Sequence, residues 1–340
     1  MTRAAKLATT FVIAGSGVGV FEVAGLPLPF LLGPLAACLC AALAHVPMQG
    51  AGRLGVGMRT ILGVAVGATI TPALLHRLPD MAYSVALIPP FVLIIGMIGY
   101  PFFRRVWGFD HATAYYSAMP GGFQDMVLFG EEAGGDVRTL SLIHATRVLI
   151  IVVAAPILLT SVWGVSLGNP PGAPIDTVPP HELALMVAAA LIGWLGAEAL
   201  GLFGASILGP LAVTAVLSLA DLLHNRPPAE AILAAQFFIG TGIGVKYAGV
   251  TLQELRRVVA AGFVYVMLLA GLAILISRIV AGLGWAGSLD AFLAFAPGGQ
   301  AEMAVLAIIA GADLAYVVTH HLVRIIIVIT GAPIAARFTR

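Results

Sequence analysis

The 340-residue chain is 60% hydrophobic and only 10% charged, with a mean hydropathy of +1.03 and a net charge of +1. That composition excludes a soluble globular domain, and the absence of a basic run excludes a nucleic-acid partner, which needs many clustered phosphate contacts. It predicts an all-α polytopic membrane protein with room for roughly ten to twelve spans of about 20 residues each, and none for a folded soluble domain.

From the N-terminus, Met1 to Lys6 carry the charge of a signal peptide, but no small-x-small cleavage site follows. Residues 7 to 24 therefore read as a retained first span. Apolar runs follow near residues 28 to 46, 56 to 75, 82 to 103 and 138 to 161. Cys38 and Cys40, two apart on one helix, point to different faces and cannot pair with each other. The segment 110 to 134 differs, because it carries His111, Tyr115, Tyr116, Pro120-Gly121-Gly122, Gln124, Asp125, Glu131 and Glu132. No continuous lipid-facing helix fits it, and two half-helices around a turn do. A linker at 162 to 182 is rich in Gly and Pro and has no Lys or Arg, which predicts an exposed loop. Beyond it the order returns, near 184 to 201, 204 to 222, 232 to 250, 258 to 280, a broken segment at 289 to 311, and 314 to 336.

The return is a duplication. Residues 120 to 151 recur 177 positions later as 297 to 328, with ten identities in 32 positions. Met126 and Met303, Asp136 and Asp313, His144 and His321, and Arg147 and Arg324 keep the same offset, while Asp125 faces Glu302. The expected organisation is thus a first membrane repeat (1–161), an extracytoplasmic linker (162–182) and a second membrane repeat (183–340). Each repeat holds about five transmembrane helices plus one broken Pro-Gly-Gly hairpin. If the hairpins re-enter, each half crosses an odd number of times and the repeats are inverted. With the N-terminus inside, that model places twelve boundary Lys and Arg inside and three (Arg77, Arg226 and Arg278) outside. A parallel model gives ten against five. The positive-inside rule favours inversion.

A helix broken at membrane depth exposes backbone groups that lipid cannot satisfy, so it is tolerated only among protein or water. At Pro120-Gly121-Gly122 and Pro297-Gly298-Gly299 the chain can turn sharply, and the following half-helix aims free N–H groups and its positive end into the cavity. That suits an anion, with Gln124 and Gln300 beside the breaks as further solute contacts. A kink used only for packing is the bland alternative. Asp125 and Glu302, three residues on, fit both a helix cap and a proton or sodium site. Asp136 and Asp313 read as N-caps. His144 with Arg147, and His321 with Arg324, share helix faces deep in a span, where an arginine must face partners or a cavity. They fit a solute or ion-coupling site, or a structural pair pinning the hairpin. No His, Cys or carboxylate spacing suggests a metal. Leu31 to Leu35 and Ile207 to Leu211 each carry an internal Gly-Pro, expected to break or kink its helix. Gly63 to Gly67 and Gly240 to Gly244 read as close helix contacts.

The paired Leu-Leu-Gly-Pro-Leu and Ala-Pro-Gly-Gly-x-x-Glu-Met blocks, at Leu31 to Leu35 and Ala296 to Met303, resemble the membrane AbrB duplication family over residues 7 to 336. The first half departs from the pattern, with Met119 for Ala296 and Asp125 for Glu302. Members carry inherited names such as ammonia monooxygenase and transition-state regulator, and some are linked to regulation of gene expression. The paired hairpins also look like those of inverted-repeat secondary carriers of hydroxycarboxylates and glutamate, which implies a scaffold part and a moving core part that holds the hairpins. The reading is a multi-pass protein of the bacterial inner membrane, not an enzyme and without cofactor or metal. It would transport a small, carboxylate-type anion coupled to protons or sodium. Its partners are the solute and the lipid bilayer, with a homodimer left open. The alternatives are an accessory or regulatory membrane protein affecting gene expression, or a metal-dependent membrane enzyme such as a monooxygenase.

Overall fold

In lipid a backbone must satisfy its own polar groups, which leaves helices as the spanning element for a chain this apolar. The computed structural model describes residues 1–26, 28–167, 172–202 and 204–336, without the side chains of residues 73–78, 124, 252, 255 and 301. Arg337, Arg340, part of the linker, and the side chains of Arg77 and Gln124 thus lie outside the described residues. The first half forms α1 (Arg3–Val23), α2 (Pro29–Leu43), α3 (Arg53–Gly57), α4 (Thr60–Gly67), α5 (Pro72–Val85), α6 (Ile88–Pro101), α7 (His111–Ala118), α8 (Phe123–Glu132) and α9 (Val137–Trp163). The second forms α10 (Pro180–Ala199), α11 (Ala205–Leu219), α12 (Ala229–Val245), the one-turn α13 (Leu252–Glu254), α14 (Ala260–Gly282), α15 (Ser288–Phe295), α16 (Gln300–Ala310) and α17 (Leu314–Ala336). π-helical turns extend α6 at Phe102–Val106 and lead into α14 at Leu255–Val259. Among the described residues, six stretches are long and apolar enough to cross a membrane, and α2, α11 and α12 are shorter apolar helices. The protein is an all-α polytopic membrane protein.

Two sequence expectations need correction. The run 56 to 75 is not one helix: α4 stops at Gly67, Thr69 bonds back to the Val66 carbonyl, and α5 restarts at Pro72. Proline disfavours helix in the residue before it and suits the first turn of a new helix. Conversely, α2 and α11 run on through Pro34 and Pro210 without a break. The missing N–H there removes a single bond from each helix, and the glycine just before each proline is a packing contact.

The chain forms two compact units, each drawing on both halves. The first comprises Met1–Arg77, Ala155–Val250 and Ala304–Ala315; the second comprises Leu78–Ala154, Thr251–Met303 and Tyr316–Arg340. In the first unit α1 packs on α2 and α2 on α12, while α10 packs on α11 and α11 on α4. The third apolar helix of each half thus lies on the second helix of the other. Small residues set these contacts: Gly17 meets the Gly33 backbone and Gly193 that of Gly209, while Gly63 meets the Ile207 carbonyl and Gly240 that of Leu31. A Cβ at any of them would collide with backbone, which cannot swing aside. Glu182, on the first turn of α10, holds the 220–228 loop by accepting from the His224 and Asn225 amides at 3.1 and 2.9 Å.

In the second unit α6 packs on α7 and α14 on α15. Tyr265 of α14 is fully buried against Phe102 and Phe103.

Gly193→Val should destabilise the protein by about 1–3 kcal/mol or abolish folding, whereas Gly196→Ala, whose new methyl would meet open space, should be neutral. Thermal melting in detergent distinguishes them. His224 should give stability a pH dependence. Its ring nitrogens face Asp221 at 3.0 Å and Glu182 at 3.3 Å, which raises its pKa above the ordinary 6.5. A raised folded pKa means this stabilisation is complete below about 6.5 and is lost as pH rises through the folded value. In His224→Gln the melting temperature should no longer carry that component.

Candidate functional site

All the candidate residues except the Gln124 side chain are described, and all lie in the second unit. The first broken segment is a hairpin. Asp110 caps α7 by accepting from the Thr113 amide at 2.9 Å, α7 ends at Ala118, and the chain is extended at Met119. After the Pro120-Gly121-Gly122 turn, α8 carries the chain back until the Asp136 amide donates to the Thr113 hydroxyl at 2.8 Å. The return therefore ends beside the first turn of α7. Asp136 then caps α9, accepting from the Arg138 amide at 3.0 Å.

The second segment follows the same path. His321 of α17 bonds to Leu293 of α15, and Arg324 bonds to Ala296 just beyond that helix. Contacts that advance together along both chains mean that α15 and α17 run parallel. The chain between them must therefore reverse its direction.

The matched His and Arg side chains close the breaks. Arg147 donates from Nη1 to the Met119 carbonyl (3.1 Å) and from Nη2 to that of Gly121 (2.8 Å). Arg324 donates to the carbonyls of Ala296 and Gly298, both at 2.8 Å. His144 Nε2 lies 3.1 Å from the Tyr116 carbonyl, and His321 Nε2 lies 2.9 Å from that of Leu293. These are the carbonyls that a terminated helix and a Pro-Gly-Gly turn leave without intrahelical partners. The Tyr265 hydroxyl satisfies one more, Ala118, at 2.6 Å. His321 Nδ1 accepts from Arg324 at 2.8 Å, so its proton sits on Nε2 and the ring is neutral.

Asp125 and Glu302 occupy the first turns of α8 and α16 and fold back over Gly122 and Gly299, where a Cβ would take the place of each carboxylate. Glu302 is only 7% exposed. Arg147 lies close enough to interact electrostatically with both Glu302 and Arg324, which brings the two breaks together. Three buried donors there have no acceptor among the described residues: Arg147 Nε, Arg324 Nε and Gln300 Nε2. An apolar crevice of about 530 Å³, lined in part by Gly96, Met97, Tyr115 and Ile327, reaches the first break at Met119. Among the described residues no three His, Cys, Asp or Glu side chains are grouped to hold a metal ion.

Sequence reasoning missed Tyr265. Its repeat-aligned position is Ile88, so the duplication gave no signal, and a tyrosine in an apolar span reads as filler. Tyr115, whose hydroxyl donates to the Ala332 carbonyl at 2.8 Å, was missed as a support for the same reason.

The model of the family described as Transition state regulatory protein AbrB matches residues 30–340, both breaks included. The chain is 26% identical to the "Uncharacterized protein YhjN" of Bacillus subtilis (strain 168), across 94% of this chain and 90% of that protein. It is 25% identical to the "Putative regulator AbrB" of Escherichia coli (strain K12), across 94% and 92%. With one family model spanning nearly the whole chain and the paired hairpins at its centre, the protein belongs to the AbrB family.

Proposed function

We propose that the protein is a secondary transporter of a small, carboxylate-type anion, coupled to protons or sodium, in the bacterial inner membrane. The observation that carries this reading is the surplus of buried donors where the breaks meet. Arg147 Nε, Arg324 Nε and Gln300 Nε2 have no acceptor among the described residues, and the N-termini of α8 and α16 add free N–H groups and positive dipole ends. An unsatisfied buried donor is unfavourable by about 1–3 kcal/mol. An anion supplies acceptors and charge together.

In this reading the arginines act twice. Their Nη groups hold the hairpin carbonyls while their charge and Nε–H face the solute. Asp125 and Glu302 couple the ion, with His144 and His321 positioning the hairpins. On this reading the halves are inverted: a hairpin that returns to the side where it began would leave five crossings per half, an odd number. No covalent step and no cofactor are involved.

The name of the Escherichia coli relative favours a second reading, a membrane protein acting on gene expression through a partner. Reproducible capture of one transcription regulator from native membranes, together with no flux in liposomes, would select it.

Uptake of small carboxylates into proteoliposomes, with and without proton or sodium gradients, tests the transporter; flux for no solute under any gradient rejects it. Glu302→Gln should retain solute binding but lose the response of flux to the ion gradient. Arg324→Lys should lower flux at least roughly tenfold and reduce thermal stability, because a single ammonium cannot present a fixed fork to two carbonyls. Unchanged flux in that variant would show that the fork is not needed.

A further inference from the structure

Away from the breaks, the second unit carries two Arg-Arg pairs at the ends of its spans. Arg104-Arg105 close the Pro79–Val106 span and Arg256-Arg257 open the Arg256–Gly282 span. Each pair lies within a π-helical turn, Phe102–Val106 or Leu255–Val259. The pairs are not at the 177-residue offset, so the duplication does not explain their likeness. π turns occur frequently at functional sites.

Cross-bonds fix one arginine of each pair. Arg257 Nη2 donates to the Trp107 carbonyl at 3.0 Å and its guanidinium lies 5.7 Å from the Phe109 ring centre; Arg104 Nη1 donates to the Phe109 carbonyl at 2.9 Å. Arg105 and Arg256 are exposed and make no hydrogen bond among the described residues. Trp107, Gln253, Arg256 and Arg257 line an open cavity of about 680 Å³, and the buried indole N–H of Trp107 has no acceptor among the described residues. The neighbouring acids are engaged. Glu254 accepts from the Thr251 hydroxyl and amide, which with the pairing to Arg138 hold its carboxyl below the usual range. Asp110 caps α7. The pocket therefore keeps a positive excess.

We propose that this pocket binds the phosphate of an anionic phospholipid, with Arg256 and Arg257 as a guanidinium clamp and Gln253 as a neutral contact. Guanidinium forks match phosphate oxygens in pairs. Of the two sources of such a group, free phosphate and a lipid headgroup, the lipid fits the place. Arginines at the ends of apolar spans, with a tryptophan beside them, sit at headgroup level.

The test uses the full chain purified in a neutral detergent, with phosphatidylglycerol, phosphatidylcholine or inorganic phosphate added. Native mass spectrometry counts bound lipid and thermal melting reads the effect. Phosphatidylglycerol should bind and raise the melting temperature by several degrees, while phosphatidylcholine and inorganic phosphate should not. Arg256→Gln with Arg257→Gln should weaken phosphatidylglycerol binding by roughly tenfold or more, and Arg53→Gln, at another span boundary, should leave it unchanged. If the double variant does not elute as a folded protein, Arg256→Gln alone is measured, with a smaller loss expected. Equal binding of both lipids, the full shift from inorganic phosphate alone, or undiminished phosphatidylglycerol binding in the folded variants would each overturn the proposal.

Discussion

A helix that stops inside an apolar core leaves carbonyls that neither lipid nor side-chain hydrocarbon can satisfy, and the architecture of the second unit answers that constraint. At the first break Tyr116 is met by His144, Ala118 by Tyr265, and Met119 and Gly121 by Arg147. At the second, Leu293 is met by His321, and Ala296 and Gly298 by Arg324. Because each guanidinium reaches two carbonyls across the proline, it fixes the turn as well as closing the helix end. The buried charge is tolerated because it is hydrogen-bonded on both Nη groups. Helices α9 and α17 are thereby committed to lie parallel to α7 and α15, and the returning half-helices follow.

The first unit solves a different problem with the same economy of pattern. Lipid tails are as apolar as leucine, so helix association there depends on close approach and not on hydrophobic transfer. Glycine pairs allow that approach, Gly17 with Gly33 and Gly193 with Gly209 inside each half, and Gly63 or Gly240 against a carbonyl of the opposite half. The crosswise contact ties the two halves of the sequence into a single unit. A chain built as a tandem duplication would otherwise be free to fold as two independent bundles.

Much of this is legible in the sequence because duplication preserves offsets. The breaks, the His-Arg faces and the carboxylates at 125 and 302 all stand out as matched polar positions in an apolar background. What the offsets do not reveal is direction. From Arg147 alone, a carboxylate and a carbonyl are equally good partners, and the choice rests on where α9 lies beside α7. The Gly-Pro motifs mislead for a related reason. A proline removes one N–H whatever its context, and Pro34 and Pro210 do so inside continuous helices whose preceding glycines, Gly33 and Gly209, pack on Gly17 and Gly193. Tyr265 is invisible to any repeat argument because its role has no counterpart.

The equality of the two hairpins stops at their scaffolds. Position 123 is phenylalanine where position 300 is glutamine, and Met119 stands where the second half has Ala296. The Gln300 Nε2, without an acceptor among the described residues, and the buried carboxylate of Glu302 therefore both belong to α16, while the matching turn of α8 presents Phe123 and the more exposed Asp125. The supports differ in the same sense. The first break leans on a tyrosine from α14, and the second on a histidine that accepts from its own arginine. Two copies of one fold thus meet with unequal chemistry: each brings an arginine and a carboxylate, but the α16 side adds an amide donor where the α8 side has Phe123. A symmetric site would leave a bound anion free to adopt either of two orientations. On the transport reading proposed above, an asymmetric one would set the charged end of a solute toward Gln300 and leave its apolar end toward Met119 and Phe123.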